Sequence, residues 1–357
     1  MEQYASARMG ASMVNINPAC GTTGWKHAWE QAKIELLVSA PKFRQTDYID
    51  LLNRVRPHCK YPARTVIIER EWNKLLNAGK KITDEQLAER EQSLQFDDPI
   101  NIQYTSGTTG YPKGATLSHH NILNNGFFIG ERMLYTEKDR VCIPVPFYHC
   151  FGMVLGNMAC TSHGACMVIV GESFEAEAVM KAVTGEKCTS LLGVPTMFIA
   201  ELEHPDFDKY DFSTLRTGIM AGSPCPINTM RQVQSKMNMK EVTVCYGMTE
   251  TSPVSAQSLA TDDIEKRVTT VGTVHPHVEI KIVDENNNIV PRGQDGELCV
   301  RGYSVMLGYW DNPEDTEKII DKQRWLHTGD VAIMDDDGYV KITGRIKDII
   351  IRGGENI

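Results

Sequence analysis

The stretch YTSGTTGYPKGATLSH, residues 104–119, constrains this chain more than any other. Seven of the eleven residues from Tyr104 to Gly114 are Ser, Thr or Gly, so this backbone is flexible and lined with hydroxyl and N–H groups. The runs NIQYTS before it and GATLSH after it both read as strands. A hairpin with a donor-rich tip follows. Its N–H groups, the Ser106, Thr108 and Thr109 hydroxyls and the Lys113 charge suit phosphate oxygens. A P-loop is the obvious alternative. Counted from Gly107, however, Pro112 replaces the required glycine and Gly114 the magnesium-binding hydroxyl. Proline also removes an N–H donor, and the loop joins two strands instead of opening a helix.

The rest of the chain sets that hairpin in an α/β body. ASMVNINPA reads as a buried strand with nothing before it to pair with, and Trp25 to Ile34 as an amphipathic helix. ELLVSA and RTVIIE read as strands, a βαβ rhythm that favours a parallel sheet. From Glu69 to Gln95 the sequence is charged with few apolar anchors, which predicts exposed helix and linker. Residues 121–240 continue the alternation, with the apolar runs CMVIV and LLGVP. After about Val268, short runs such as VEIKIV, GELCVRG and YVKITGR between turn residues predict antiparallel β structure. The DDDG segment reads as a hairpin turn at Asp337-Gly338, because Ile333 sits where a calcium loop needs an oxygen ligand.

Length and charge narrow the class. The 357 residues carry 41% hydrophobic and 23% charged side chains and a net charge of −9, which argues against a general nucleic-acid or membrane-surface binder. The basic segment RVRPHCKYPAR reads as a solvated loop, and no apolar run approaches a membrane span. Ten cysteines without regular spacing predict reduced, mostly buried thiols in a reducing compartment. No targeting segment opens the chain, and the apolar DIIIRGGENI at its end reads as an uncovered strand. Both ends are therefore expected to be cut.

Four motifs occur in order: YTSGTTGYPKG, YGMTET, HTGD and GRIKDIIIRGGEN. Together they resemble the core motifs of the adenylate-forming (AMP-binding) superfamily, which includes acyl-CoA synthetases, luciferases and peptide-synthetase adenylation domains. The resemblance extends over essentially the whole chain, and FDDPINIQYTSGTTG, AGSPCP and GELCVRGYSVMLGYW look most like a mitochondrial medium-chain acyl-CoA ligase. It implies two α/β subdomains with mainly parallel sheets plus an antiparallel β subdomain, the large N-terminal domain of such enzymes, with the C-terminal lid missing. Residues 1–267 would form the nucleotide- and acyl-binding subdomains, the first incomplete, and residues 268–344 the β-rich subdomain. Residues 345–357 would form the hinge and the start of a truncated C-terminal domain.

The same resemblance assigns roles. Thr105, Ser106, Gly107, Thr108, Thr109, Gly110, Tyr111, Pro112 and Lys113 would close over the ATP phosphates, with Lys113 also a catalytic group. Tyr246 and Gly247 would lie at the adenine, beside the Gly222–Ser223 turn. Thr249 would bond the α-phosphate and Glu250 would hold Mg²⁺. Asp330 is the implied acceptor for the ribose hydroxyls, with Arg345 nearby, and His149 would stand at the mouth of the acyl pocket. GVPTMF and VCYG resemble pocket walls, Lys347 the domain hinge, and Gly353-Gly354 the pantetheine path. The implied reaction is ATP-dependent activation of a medium-chain fatty acid, then transfer to coenzyme A, in the mitochondrial matrix. Its partners would be these small molecules, with no nucleic acid. The family's catalytic lysine lies beyond the hinge, whereas this chain runs ten residues past Lys347. A catalytically impaired AMP/ATP-binding fragment, or a ligase for another carboxylic acid, are the alternatives.

Overall fold

The computed structural model describes residues 2–105, 112–346, 351–352 and 355–356. Two compact units divide the chain, Met1–His119 with Leu307–Pro313 and His120–Met306 with Glu314–Ile357.

In the first unit, helix Thr22–Gln31 buries Trp25, Ala28 and Trp29, spaced to form one stripe. The two indole rings lie 5.3 Å apart and Trp25 lies 5.1 Å from Tyr48, contacts worth about 0.5–1.5 kcal/mol each beyond area burial. Strands Leu36–Ser39 and Arg64–Ile67 pair in parallel around helix Tyr48–Val55, so the parallel pairing holds, but the strand before the Trp25 helix joins a different sheet and the crossover helix is the later one. Asp47 caps that helix by accepting from the backbone N–H groups of Ile49 and Asp50. The basic segment begins inside this helix, continues as the 3₁₀ turn Arg56–His58 and is largely exposed. Helices Ile68–Gly79 and Asp84–Gln92 bury nothing, as their charge predicts.

Strands Pro99–Thr105 and Lys113–Ser118 pair antiparallel, from Pro99 opposite Ser118 to Thr105 opposite Lys113. This is the hairpin expected around the glycine- and hydroxyl-rich loop. The ASMVNINPA segment needs correcting. Its strand, Met13–Asn15, is half-buried, follows helix Glu2–Met9 and pairs in parallel with Pro99–Thr105. A partner later in the chain supplies what the local sequence lacks.

The second unit contains a five-stranded parallel sheet. Its spatial order is Glu241–Thr243, Thr217–Met220, Ser190–Gly193, Arg140–Cys142, Cys166–Val168. Val179, Met180 and Val183 of helix Ala176–Glu186, Phe198 of helix Pro195–Leu202, and Met230 and Val233 of helix Ile227–Lys236 form its core. CMVIV proves to be the sheet's edge: Cys166 and Met167 are exposed and only Val168 of that strand is buried. In this second unit antiparallel structure begins at Cys245, ahead of Val268, in a small sheet of Cys245–Gly247, Val254–Gln257 and Thr273–Val274. Strands of two to four residues are too short to display alternation. Four longer ones, Val278–Val283, Gly296–Gly302, Leu326–Met334 and Val340–Arg345, make the second antiparallel sheet in chain order. The Asp337-Gly338 turn joins the last two, with Gly338 at φ +86°. All ten cysteines are free, five of them buried (Cys142, Cys150, Cys160, Cys188 and Cys299).

One core group has a testable cost. Glu201 is 1% exposed, its Oε2 has no hydrogen-bond partner, and burial pushes its carboxyl well above the ordinary value of 4.5. The folded chain therefore holds a proton there that the unfolded chain releases above that value, so stability falls as pH rises. Glu201→Gln is expected to gain on the parent by about 1.4 kcal/mol per pH unit above the unfolded value, until the folded carboxyl ionises. Urea melts of both proteins across pH check this; a constant difference would mean the carboxyl is ionised in the fold.

Candidate active site

In an open parallel sheet, the loops leaving the carboxyl ends of the strands form the natural binding edge. Here four such loops carry motifs. They follow strands Arg140–Cys142, Ser190–Gly193, Thr217–Met220 and Glu241–Thr243, and contain His149, GVP, AGSPC and CYGMTE respectively. The Ala221 N–H donates to the Gly193 carbonyl at 3.2 Å, tying two of them together. Gly222 turns its loop at φ +88°, where a side chain would be strained. Burial raises the Cys245 thiol, and the charge of Cys225 adds to the shift.

Gly247 is required by proximity: a Cβ there would lie 1.7 Å from the Pro253 carbonyl oxygen. The chain then turns through the 3₁₀ segment Thr249–Thr251. Met306 N–H donates to the Glu250 carbonyl at 2.9 Å, and the Glu250 residue is buried. The Cys150 thiol is pushed up to about 12, first by burial, with a Thr249 hydrogen bond opposing and the Glu250 charge reinforcing the shift. That contact brings the His149–Cys150 loop against Thr249 and Glu250. His149 itself is exposed, and its Nδ1 accepts from the Phe151 N–H at 3.1 Å.

Asp330 joins three parts of the unit. The antiparallel register sets it opposite Arg345, and Arg345 Nε lies 2.5 Å from its Oδ1. The Tyr246 hydroxyl donates to Oδ2 at 2.5 Å. Burial, then the charge and hydrogen bond of Asp330, holds the Tyr246 phenol well above its ordinary value, so it stays a donor. Asp330 is 3% exposed, and its N–H donates to Thr328 Oγ1 at 3.1 Å. A carboxylate has about four acceptor directions, so two more donors fit.

In the first unit, Thr105 Oγ1 donates to the Lys113 carbonyl at 3.3 Å, and His27 Nε2 lies 3.1 Å from the Pro112 carbonyl. Lys113 Nζ sits 5.1 Å over the Tyr309 ring. Ser106, Gly107, Thr108, Thr109, Gly110, Tyr111, Lys347, Gly353 and Gly354 lie outside the described residues. Sequence reading missed Cys150 and Thr328, although each is adjacent to or inside a motif. Both were hidden because their partners lie far along the chain.

The family described as AMP-binding enzyme matches residues 2–310. The chain belongs to the AMP-binding enzyme family. Among its relatives, the putative acyl-CoA synthetase YngI of Bacillus subtilis (strain 168) is 48% identical over 99% of this chain and 68% of that protein. The medium-chain acyl-CoA ligase ACSF2, mitochondrial, of Danio rerio is 42% identical over 99% of this chain and 62% of that protein. This chain therefore spans roughly two thirds of the length of these AMP-binding relatives. Among solved structures, ATP-bound MatB from Rhodopseudomonas palustris superposes with a TM-score of 0.78 at 27% identity, covering 99% of this chain and 68% of that one. The mixed parallel and antiparallel sheets are thus those of the adenylate-forming fold. Among the described residues no helix is long and apolar enough to cross a membrane.

Proposed function

We propose that this chain carries the nucleotide- and acyl-binding part of a fatty-acid–CoA ligase (AMP-forming) acting on medium-chain acids. The observation that carries the reading is the Tyr246–Asp330–Arg345 group, built beside strand-end loops that hold Thr249 and Glu250. Asp330 accepts from the ribose hydroxyls while Arg345 and Tyr246 keep its carboxylate in one orientation. Adenine lies against Tyr246 and the Gly222–Ser223 turn. Thr249 donates to the α-phosphate, and by the family resemblance the outer phosphates would fall to the 105–113 loop with Lys113. A buried carboxylate beside a hydroxyl is the hard-oxygen donor set that suits Mg²⁺, so Glu250 would hold that ion, which when bound neutralises phosphate charge.

The chemistry follows. A carboxylate oxygen of the fatty acid attacks the α-phosphorus, the bond to the β-phosphate oxygen breaks, and diphosphate leaves. The CoA thiol, having lost its proton, then attacks the acyl carbon, and the C–O bond to AMP breaks. By the same resemblance His149 would stand at the acyl entrance, Lys347 would serve as the hinge between the two half-reactions, and Gly353-Gly354 would belong to the pantetheine path. The medium-chain preference and the mitochondrial compartment rest on the name of the Danio rerio relative.

Diphosphate exchange into ATP, measured with fatty acids of graded length and with aryl and amino acids, tests the proposal. Exchange should peak at intermediate chain length and fall for acetate and palmitate. Exchange with an aryl or amino acid and with none of the fatty acids would overturn it.

A further inference from the structure

A second cluster lies on the four-stranded antiparallel sheet. Cys299 and His327 are directly opposite each other across strands Gly296–Gly302 and Leu326–Met334, and Glu297 is two residues from Cys299 on the same face. Cys299 Sγ is 3.4 Å and Glu297 Oε2 2.8 Å from His327 Nδ1. One sulfur, one nitrogen and one carboxylate oxygen thus lie within 4.8 Å of one another.

We propose that Glu297, Cys299 and His327 form a binding site for a borderline-soft divalent cation of the Zn²⁺ type. Ligand type comes first: thiolate, imidazole and carboxylate are the donors zinc takes, whereas Mg²⁺ and Ca²⁺ prefer oxygen alone. Spacing agrees. Bonds of about 2.0–2.3 Å in a tetrahedron separate neighbouring donors by about 3.4–3.7 Å, so the sulfur–nitrogen distance is already suitable. Only the Glu297 carboxylate must swing outwards by about half an ångström, and its side chain is 20% exposed.

Charge balances as well. Zn²⁺ with one thiolate, one carboxylate and a neutral imidazole is net neutral, which a half-buried site accepts more readily than a lone charge. Burial keeps the Cys299 thiol protonated, its pKa raised to about 12, so the cation would displace that proton to solvent. Lys281 stands opposite Cys299 in the strand register, with Nζ 3.1 Å from Asn287 Oδ1 and 4.7 Å over the Trp325 ring, and its charge favours the thiolate that the cation needs. Cys299 is fully buried, while the His327 side chain is 24% exposed, so the ion would enter from the histidine side, with water as fourth ligand.

The second carboxylate oxygen has its own task. Glu297 Oε1 accepts from the Gly329 N–H at 3.0 Å, so a cation can take Oε2 without releasing the turn next to Asp330.

Co²⁺ and Zn²⁺ are the probes. The chelator-stripped, phosphine-reduced chain should bind one equivalent of Co²⁺ with a thiolate-to-cobalt charge-transfer absorption, and Zn²⁺ should displace it. Cys299→Ser should abolish that absorption although nine of the ten cysteines remain. His327→Asn and Glu297→Gln, which keep the thiol, should each weaken Co²⁺ binding at least tenfold, and they decide the matter if Cys299→Ser does not fold. Absence of the absorption in the parent chain, its persistence in Cys299→Ser, or unchanged affinity in both other variants would overturn the proposal.

Discussion

Replacing Asp330 by asparagine is expected to weaken AMP binding to the purified chain by about 10–100-fold, the value of one charged hydrogen bond. The carboxylate is buried and engages the Tyr246 hydroxyl and Arg345 Nε, both at 2.5 Å. An amide of the same shape loses the charge, presents donors to one of these donors, and offers the ribose fewer acceptors. Tyr246→Phe removes one hydroxyl that acts on the nucleotide only through Asp330, and should cost less, about 2–10-fold. Titration calorimetry with AMP, with circular dichroism to confirm folding, reads both. If folded Asp330→Asn protein kept the parental affinity, the ribose contact would be wrong, and with it the proposed orientation of ATP.

Asp139→Asn should instead damage the fold and leave the nucleotide site intact. This carboxylate precedes strand Arg140–Cys142, and its side chain is only 4% exposed. Its Oδ2 accepts from the Thr136 N–H and Arg216 Nη2, both at 2.8 Å. Its Oδ1 accepts from Thr189 Oγ1 at 2.7 Å and Arg216 Nε at 3.2 Å. Arg216 also reaches Glu241 at 2.7 Å. The knot therefore ties together the amino ends of neighbouring strands, the edge away from the proposed site.

Losing the charge leaves Arg216 partly unpaired, which should cost about 3 kcal/mol and lower Tm by about 4 °C. Burial alone would raise the Asp139 pKa, but the hydrogen bonds from Arg216 and Thr189 outweigh it and hold it below 3.8. A depressed carboxylate stabilises above its unfolded pKa, and that stability is lost as pH falls through the folded value. The gap between parent and Asp139→Asn should thus be full at neutral pH and close in acid. Urea melts test this; a gap independent of pH would assign the loss to packing instead.

Several features were legible because they are local. The hairpin around the SGTTG loop, the helix that carries Trp25 and Trp29, and the strands Leu36–Ser39, VEIKIV and GELCVRG follow from apolar period and turn residues within a dozen positions. The family was legible for the same reason, since YGMTET and HTGD are contiguous strings. The strand of ASMVNINPA was found, but its partner was not, because that partner, Pro99–Thr105, comes far later in the chain.

By itself, then, the sequence specified which residue types stand in which short segments, and so the class of chemistry open to this chain. Only the folded chain decided what meets what. Tyr246 and Asp330 are 84 positions apart, and Arg345 reaches Asp330 through strand register. Asp139 finds Arg216 through strand order, and Cys299 finds His327 across a ladder. Period along a chain records which face a side chain occupies, but pairing between distant strands is chosen by the packing of the whole unit, which no local window contains.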